Sequence, residues 1–201
     1  GWLVISFHML SFVFQSFAAL TDFSGPVLGY RYSDMVANST NPLRFIEYSI
    51  SASVMLIAIA LLNGVTDINL VVSIAVLTSA CQLCGLVVEY VHDLLLKWLL
   101  HLTGWLQFGW AYGIIFSAFF KSIDNSADGA GPPQFVYIIV IMLFLLYSSF
   151  GFVQFAELVC LSRNNGKMNP YVKEISYVVL SLTAKLLLGW MIFSNVLVFS
   201  R

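Results

Sequence analysis

A single lysine interrupts the last hydrophobic stretch of the chain. Residues 175–200 are 26 positions whose only charge is Lys185. At a helical rise of ~1.5 Å per residue, Lys185 lies ~16 Å from Glu174 and ~24 Å from Arg201, near the middle of a bilayer. A lysine there costs ~2.5–3.5 kcal/mol even on the lenient insertion scale, so it must face a partner or a cavity. A buried amine is also a nucleophile that forms a Schiff base with an aldehyde. The complementary charge stands in Arg44-Phe-Ile-Glu47, where Glu47 lies one turn deeper than Arg44 and shares a face with Ser51 at i+4. Unpaired, each charge would bear a large desolvation penalty. Glu47 and Lys185 are therefore natural partners, either as an interhelical salt bridge or as a functional site.

The remaining ionisable groups are few. Glu157 ends a long uncharged run and precedes Arg163 by six residues, ~9 Å along a helix. It reads either as an interfacial carboxylate reaching toward Arg163 or as a protonatable relay near a membrane face. Glu89, in Val88-Glu89-Tyr-Val-His92-Asp93, reads as an interfacial anchor or a further relay group. His8 and His101 lie inside apolar runs and are hydrogen-bonded packing residues or proton acceptors. The aromatic residues are 17 Phe, 9 Tyr and 5 Trp. Trp105, Trp110, Tyr147, Phe150 and Trp190 are the candidates to line a flat polyene pocket, against the alternative that each only packs or faces lipid.

Membrane-spanning helices must position these groups. Hydrophobic residues make up 60% and charged residues 9% of the chain, with a mean hydropathy of +0.90. An ordinary soluble domain carries about 25% charged residues. Uncharged runs at 1–21, 48–66, 68–88, 98–120, 129–156 and, apart from Lys185, 175–200 each approach or exceed the ~20 residues of a spanning helix. The expected fold is all-α, with helices near 2–24, 42–64, 67–91, 95–121, 133–161 and 173–199 forming a single membrane domain over 1–201. The chain opens Gly-Trp-Leu inside an apolar run, and the expectation is that one further helix precedes it. The net charge of −1 argues against a nucleic-acid partner; the partner implied by composition is membrane lipid.

Loop charge sets the orientation. Segments 25–44, 91–97 and 162–173 hold Arg31, Arg44, Lys97, Arg163, Lys167 and Lys173, while the other side holds Lys121 and Arg201. The first side is therefore cytoplasmic, Asp22 marks the cytoplasmic end of the first stretch, and the carboxy-terminus lies outside. The sequon Asn38-Ser39-Thr40 falls on the cytoplasmic side, where it would not be used. Cys81, Cys84 and Cys160 all fall in spans, and the Cys81-x-x-Cys84 spacing reads as packing rather than redox chemistry. Gly109-Trp-Ala-Tyr-Gly113 offers a small-residue face for close helix contact, possible between protomers of a homodimer.

Three segments resemble the heliorhodopsins, retinal proteins distantly related to microbial rhodopsins. Asn41-Pro-Leu-Arg44-Phe-Ile-Glu47 through Met55 is similar to the family's third helix, with its Arg-x-x-Glu counterion motif and a downstream pocket methionine. Glu174 through Ser181-Leu-Thr-Ala-Lys185 is similar to its seventh helix, with a serine four residues before the retinal lysine. Pro133-Gln-Phe-Val-Tyr137 resembles the start of its sixth. The six stretches then correspond to helices two to seven of a seven-helix rhodopsin-like bundle. The family's native amino-terminus is cytoplasmic, the orientation reached above from charge alone.

The resemblance implies a photoreceptor, not an enzyme. Lys185 would carry all-trans retinal as a protonated Schiff base and Glu47 would be its counterion. Ser181 would hydrogen-bond near the Schiff base, and Met55, Trp105 and Trp110 would touch the polyene, beside Ser51, Tyr147 and Phe150. Most of the family are regarded as light sensors without transport, which implies a cytoplasmic signalling partner. The chain departs from the pattern in two places. Ser16-Phe-Ala-Ala-Leu20 aligns with the family's Ser-x-x-x-His, leaving Leu20 in the histidine's place, and Glu157 stands where the family is apolar or amide-bearing. A light-gated proton path through Glu47, Glu157 and Glu89 is the alternative expectation.

Overall fold

Local signals begin and end the helices. The computed structural model describes residues 2–23, 31–124, 134–164, 166 and 168–199. Pro133, Lys167, Arg201 and residues 25–30 of the first loop, all used above, lie outside the described residues. Helix α1 runs Trp2–Phe23, α2 Tyr32–Ala37, α3 Pro42–Leu62, α4 Ile68–Tyr90, α5 Leu94–Asp124, α6 Gln134–Asn164 and α7 Pro170–Phe199. Pro42 suits the first turn of α3 because it has no N–H to satisfy, and the Asn41 side chain accepts the Arg44 N–H at 3.2 Å. Asp67, Asp93 and Asn169 accept the backbone N–H two residues on at the starts of α4, α5 and α7. At the α3–α4 turn, Gly64 has φ +79°, a conformation that side chains resist.

The six long helices fall where the uncharged runs place them. The short α2, inside the first loop, was not expected. Five helices among the described residues are long and apolar enough to cross a membrane by length and composition; α5 is not among these five. Its 31 residues would reach about 46 Å at helical rise. Its apolarity is diluted by Lys97, His101, Gln107 and three glycines. It nevertheless packs along α4 and α6.

The long helices close a ring in chain order, α1 on α3, then α4, α5, α6 and α7, with α7 returning to α1. Helix α3 is the most enclosed and also touches α5 and α6. Ser53 and Ser79 seal α3 to α4, their hydroxyls 3.0 Å apart and both donating to the Ser49 carbonyl. Such side-chain bonds hold helices together in lipid, where no hydrophobic force drives association.

The bundle is polarised along its axis. Its apolar core, with Phe7, Leu56, Ile59, Ile74, Ile115, Ile139, Leu143 and Leu188, fills the half beyond Lys185. The opposite half holds Asn41, Arg44, Glu89, Glu157, Lys173 and Glu174. Two residues counted as loop charges belong to this interior: Arg44 and Lys173 are 6% and 2% exposed. Without them the positive-inside count falls from six to four against two, and its sign is unchanged.

Glycine permits close approach where α5 meets α6. A Cβ on Gly151 would lie 2.6 Å from the Trp105 ring, whereas one on Gly104 would meet Cys81 Sγ at an ordinary 3.7 Å. Gly151→Ala should therefore destabilise the bundle by about 1–3 kcal/mol. The thermal midpoint in detergent should drop by several degrees, while Gly104→Ala should leave it unchanged.

Candidate functional site

Lys185, on α7, is 6% exposed and faces the middle of the bundle. Its Nζ donates to Glu47 Oε1 at 2.6 Å and to Ser11 Oγ at 2.5 Å. Ser11 in turn donates to Glu47 Oε1 at 2.6 Å, and Gln15 Nε2 donates to Oε2 at 3.3 Å. The carboxylate thus accepts from three side chains on two neighbouring helices, which compensates its removal from water. Lys185 Nζ also lies 5.3 Å from the centre of the Tyr48 ring. The Tyr48 hydroxyl is held by the Tyr177 carbonyl at 3.1 Å.

Ser11 and Gln15, which the sequence reading did not single out, are the α1 residues that meet Glu47. The expected Ser-x-x-x-His counterpart was Ser16 to Leu20, but Leu20 is 55% exposed and faces outward. The same spacing five residues earlier, Ser11 to Gln15, is what meets Glu47. The Gln15 amide donates a hydrogen bond to Glu47 without offering a basic nitrogen. A polar pair at i, i+4 in an apolar helix was the available signal. Among the described residues, the hydroxyl bonded to Lys185 is that of Ser11; Ser181 instead lines the adjacent cavity and interacts with Tyr48.

Two adjoining cavities extend from Lys185. The nearer is walled by Tyr48, Ser51, Ala52, Met55, Gln82, Tyr147, Phe150, Ser181 and Ala184. The farther, between α4, α5 and α6, includes Trp105, Phe108, Gly151, His101 and Gln154. Gln82, Tyr147 and Phe150 border both. The structure brings Ser51, Met55, Tyr147, Phe150 and Ser181 to the lysine and puts Trp105 in the second lobe. Trp110 and Trp190 are corrections: they are 72% and 69% exposed on the outer surface. Trp110 follows Trp105 by five residues, which turns it away from the α5 face that Trp105 uses.

The farther lobe carries a polar chain. Trp105 Nε1 donates to His101 Nε2 at 2.9 Å, which assigns the ring proton to Nδ1, 3.2 Å from Gln154 Oε1. Gln154 Nε2 then donates to the Gly85 carbonyl at 3.2 Å. His101 is thus a hydrogen-bonded packing residue. His8 is too: its Nδ1 meets the Val4 carbonyl at 2.8 Å, and its ring lies against Gly189.

A second set of charges lies toward the α2 end. Arg44 pairs with both Glu89 of α4 and Glu174 of α7, rather than resting at the interface. Its guanidinium also stacks 4.2 Å from the centre of the Tyr177 ring. Lys173 joins Glu89 at 2.8 Å to Glu157 of α6 at 2.7 Å. Glu157 therefore reaches across to α7 rather than along its own helix to Arg163. Two cations face three carboxylates, a net charge of −1 spread over four helices. Lys173 and Glu174 were missed because they read as the flank of a helix. Asn41 and Tyr32 cover this set, each donating to Glu174 Oε1 at 2.8 Å. Outside the spans, burial first and the Glu174 carboxylate second raise the Tyr32 phenol above its ordinary range, keeping it a donor.

A family model described as Heliorhodopsin matches residues 1–197. No curated protein matches the chain.

The charge set should respond unequally to its members. Lys173→Met leaves Glu89 and Glu157 without their shared cation and should cost about 3–5 kcal/mol, read as a lowered thermal midpoint. Adding Glu157→Gln to that variant should recover part of the loss, because it removes the carboxylate left without a cation, whereas Glu89 keeps Arg44. A double variant no more stable than the single one would show that Lys173 does not hold Glu157.

Proposed function

The chain belongs to the heliorhodopsin family, membrane photoreceptors that bind retinal, and on that premise we propose that Lys185 holds all-trans retinal as a protonated Schiff base with Glu47 as counterion, in a light sensor. The observation that carries this reading is a buried amine 2.6 Å from a buried carboxylate at the mouth of a long aromatic cavity. Retinal, when bound, supplies a polyene that absorbs visible light and changes shape about a double bond. Ser51, Met55, Tyr147, Phe150 and Ser181 would wall its near part, and Trp105 would wall the far lobe. Glu47, fixed by Ser11 and Gln15, keeps a positive charge on Lys185 Nζ favourable inside the bundle.

The route from this pair to a surface runs through two helices. Glu47 and Arg44 are one turn apart on α3, while Lys185 and Glu174 are about three turns apart on α7. Any change in the attraction between Lys185 and Glu47 shifts α3 against α7, and Arg44–Glu174 joins the same two helices at their ends. Tyr32 carries that contact to α2. With the cytoplasmic orientation set by loop charge, the face altered by light is the one a signalling partner would read. The outward-facing Gly109 and Gly113 support a homodimer contact on α5.

A second reading is light-driven proton passage through Glu47, Glu157 and Glu89. It is favoured by a small polar cavity lined by Gln15, Tyr32, Asn41, Arg44, Glu47 and Glu174, which joins the counterion to the charge set. The sensor reading is preferred on two grounds. Glu89 and Glu157 are both paired to Lys173, and the half of the bundle beyond Lys185 is packed mainly with aliphatic and aromatic side chains. A conducting path needs polar steps on both sides of the lysine.

Lys185→Ala protein given retinal should be colourless, and a retained visible band would refute the attachment site. Glu47→Gln should shift the band to the red, because losing the anion lets positive charge spread along the polyene; an unmoved band would point to another counterion. Voltage-clamped cells under a pH gradient should show no photocurrent, and a current abolished by Glu157→Gln would establish the proton path instead.

A further inference from the structure

A hydrocarbon ring needs only apolar walls, and the farther lobe does not supply them alone. The amide of Gln82 borders both cavities and has no hydrogen-bonding partner among the described residues. Across the lobe, Gln154 uses its carbonyl for His101 and one N–H for Gly85, leaving its second N–H free. His101 Nε2 already accepts from Trp105 while its Nδ1 bonds the Gln154 carbonyl, so the imidazole has no acceptor left for the second Gln154 N–H. Retinal carries its one oxygen at the aldehyde end, which is consumed at Lys185. Seated with its ring in this lobe, it would cover two amides with hydrocarbon and leave their hydrogen-bonding capacity unmet, an unfavourable burial.

We propose that Gln82 and Gln154 form a recognition site for an oxygen on the ring of the chromophore, so that the protein selects ring-hydroxylated retinal over retinal. This rests on the reading that Lys185 holds a retinoid. A ring hydroxyl both donates and accepts, and so it can accept an amide N–H of either residue while donating to the Gln82 carbonyl. The gain from one such bond between neutral groups corresponds to roughly threefold to tenfold in affinity. Gln154 borders the farther lobe and Gln82 borders both cavities, whereas the hydroxyls of Ser51 and Ser181 line the near cavity beside Lys185.

The test is a competition on the full chain produced without retinoid. Protein is incubated with equimolar retinal and either 3-hydroxyretinal or 4-hydroxyretinal, and the bound chromophores are extracted and quantified by chromatography. At least one hydroxylated form should be enriched about threefold to tenfold over retinal. Gln82→Met, similar in volume, should bring that ratio close to one, and its helical circular dichroism and thermal midpoint in detergent, matching wild type, show that the variant is folded. Gln154→Met should lower the ratio in the same direction. A wild-type ratio near one for both hydroxylated forms, or a preference that neither substitution reduces, overturns the proposal while leaving retinal attachment intact. A protein that forms no visible band with any of the three aldehydes overturns the attachment reading, and the ring site with it.

Discussion

A protonated amine in the middle of an apolar helix bundle is tolerated only beside an anion, and the architecture of this protein is arranged around that requirement. Lys185 needs Glu47, and Glu47 needs donors of its own because one ammonium does not satisfy two carboxylate oxygens. Ser11 and Gln15 supply them, and in doing so tie α1 to α3. The pair therefore joins α1, α3 and α7, whose association lipid alone would not drive. Neutralising either partner would change the forces among these helices together.

The same logic repeats one layer away with different consequences. Arg44 and Lys173 face Glu89, Glu157 and Glu174 in a set that links α3, α4, α6 and α7. Buried ion pairs of this kind contribute little net stability compared with apolar packing, but breaking one leaves an exposed desolvation cost. Such a set holds one arrangement firmly and penalises intermediate ones. It stands between the lysine and the α2 end, whereas the opposite half of the bundle is a packed apolar core. A disturbance at Lys185 therefore meets a network of ion pairs on one side and close-packed side chains on the other.

The cavity shows how shape and polarity are divided between residues. Gly151 gives up a side chain so that the Trp105 ring can lie against α6, and Tyr147 and Phe150 form the constriction between the two lobes. Tyr147 is itself held by the Ala52 carbonyl at 3.3 Å, so the constriction is braced from α3. Gln82, whose amide has no hydrogen-bonding partner among the described residues, borders both lobes beside Tyr147 and Phe150.

Membrane residence, the helix spans, Lys185 and Glu47 were all legible from residue order, for one physical reason. Charge in hydrocarbon is expensive enough that one lysine in 26 positions has to be explained by a partner. The sequence by itself also determined the capping signals at Asn41, Asp67, Asp93 and Asn169, because these act over two or three residues. The tertiary structure decided which way each apolar helix turns. In lipid every face of such a helix is hydrophobic, so no periodicity distinguishes inside from outside. Hence Ser11 and Gln15 rather than Ser16 and Leu20 meet Glu47, and Trp110 and Trp190 face outward. It also decided the partners of Arg44, Glu157 and Lys173, since a charge near a helix end has several oppositely charged groups within reach. Only the crossing of α4, α6 and α7 selects among them.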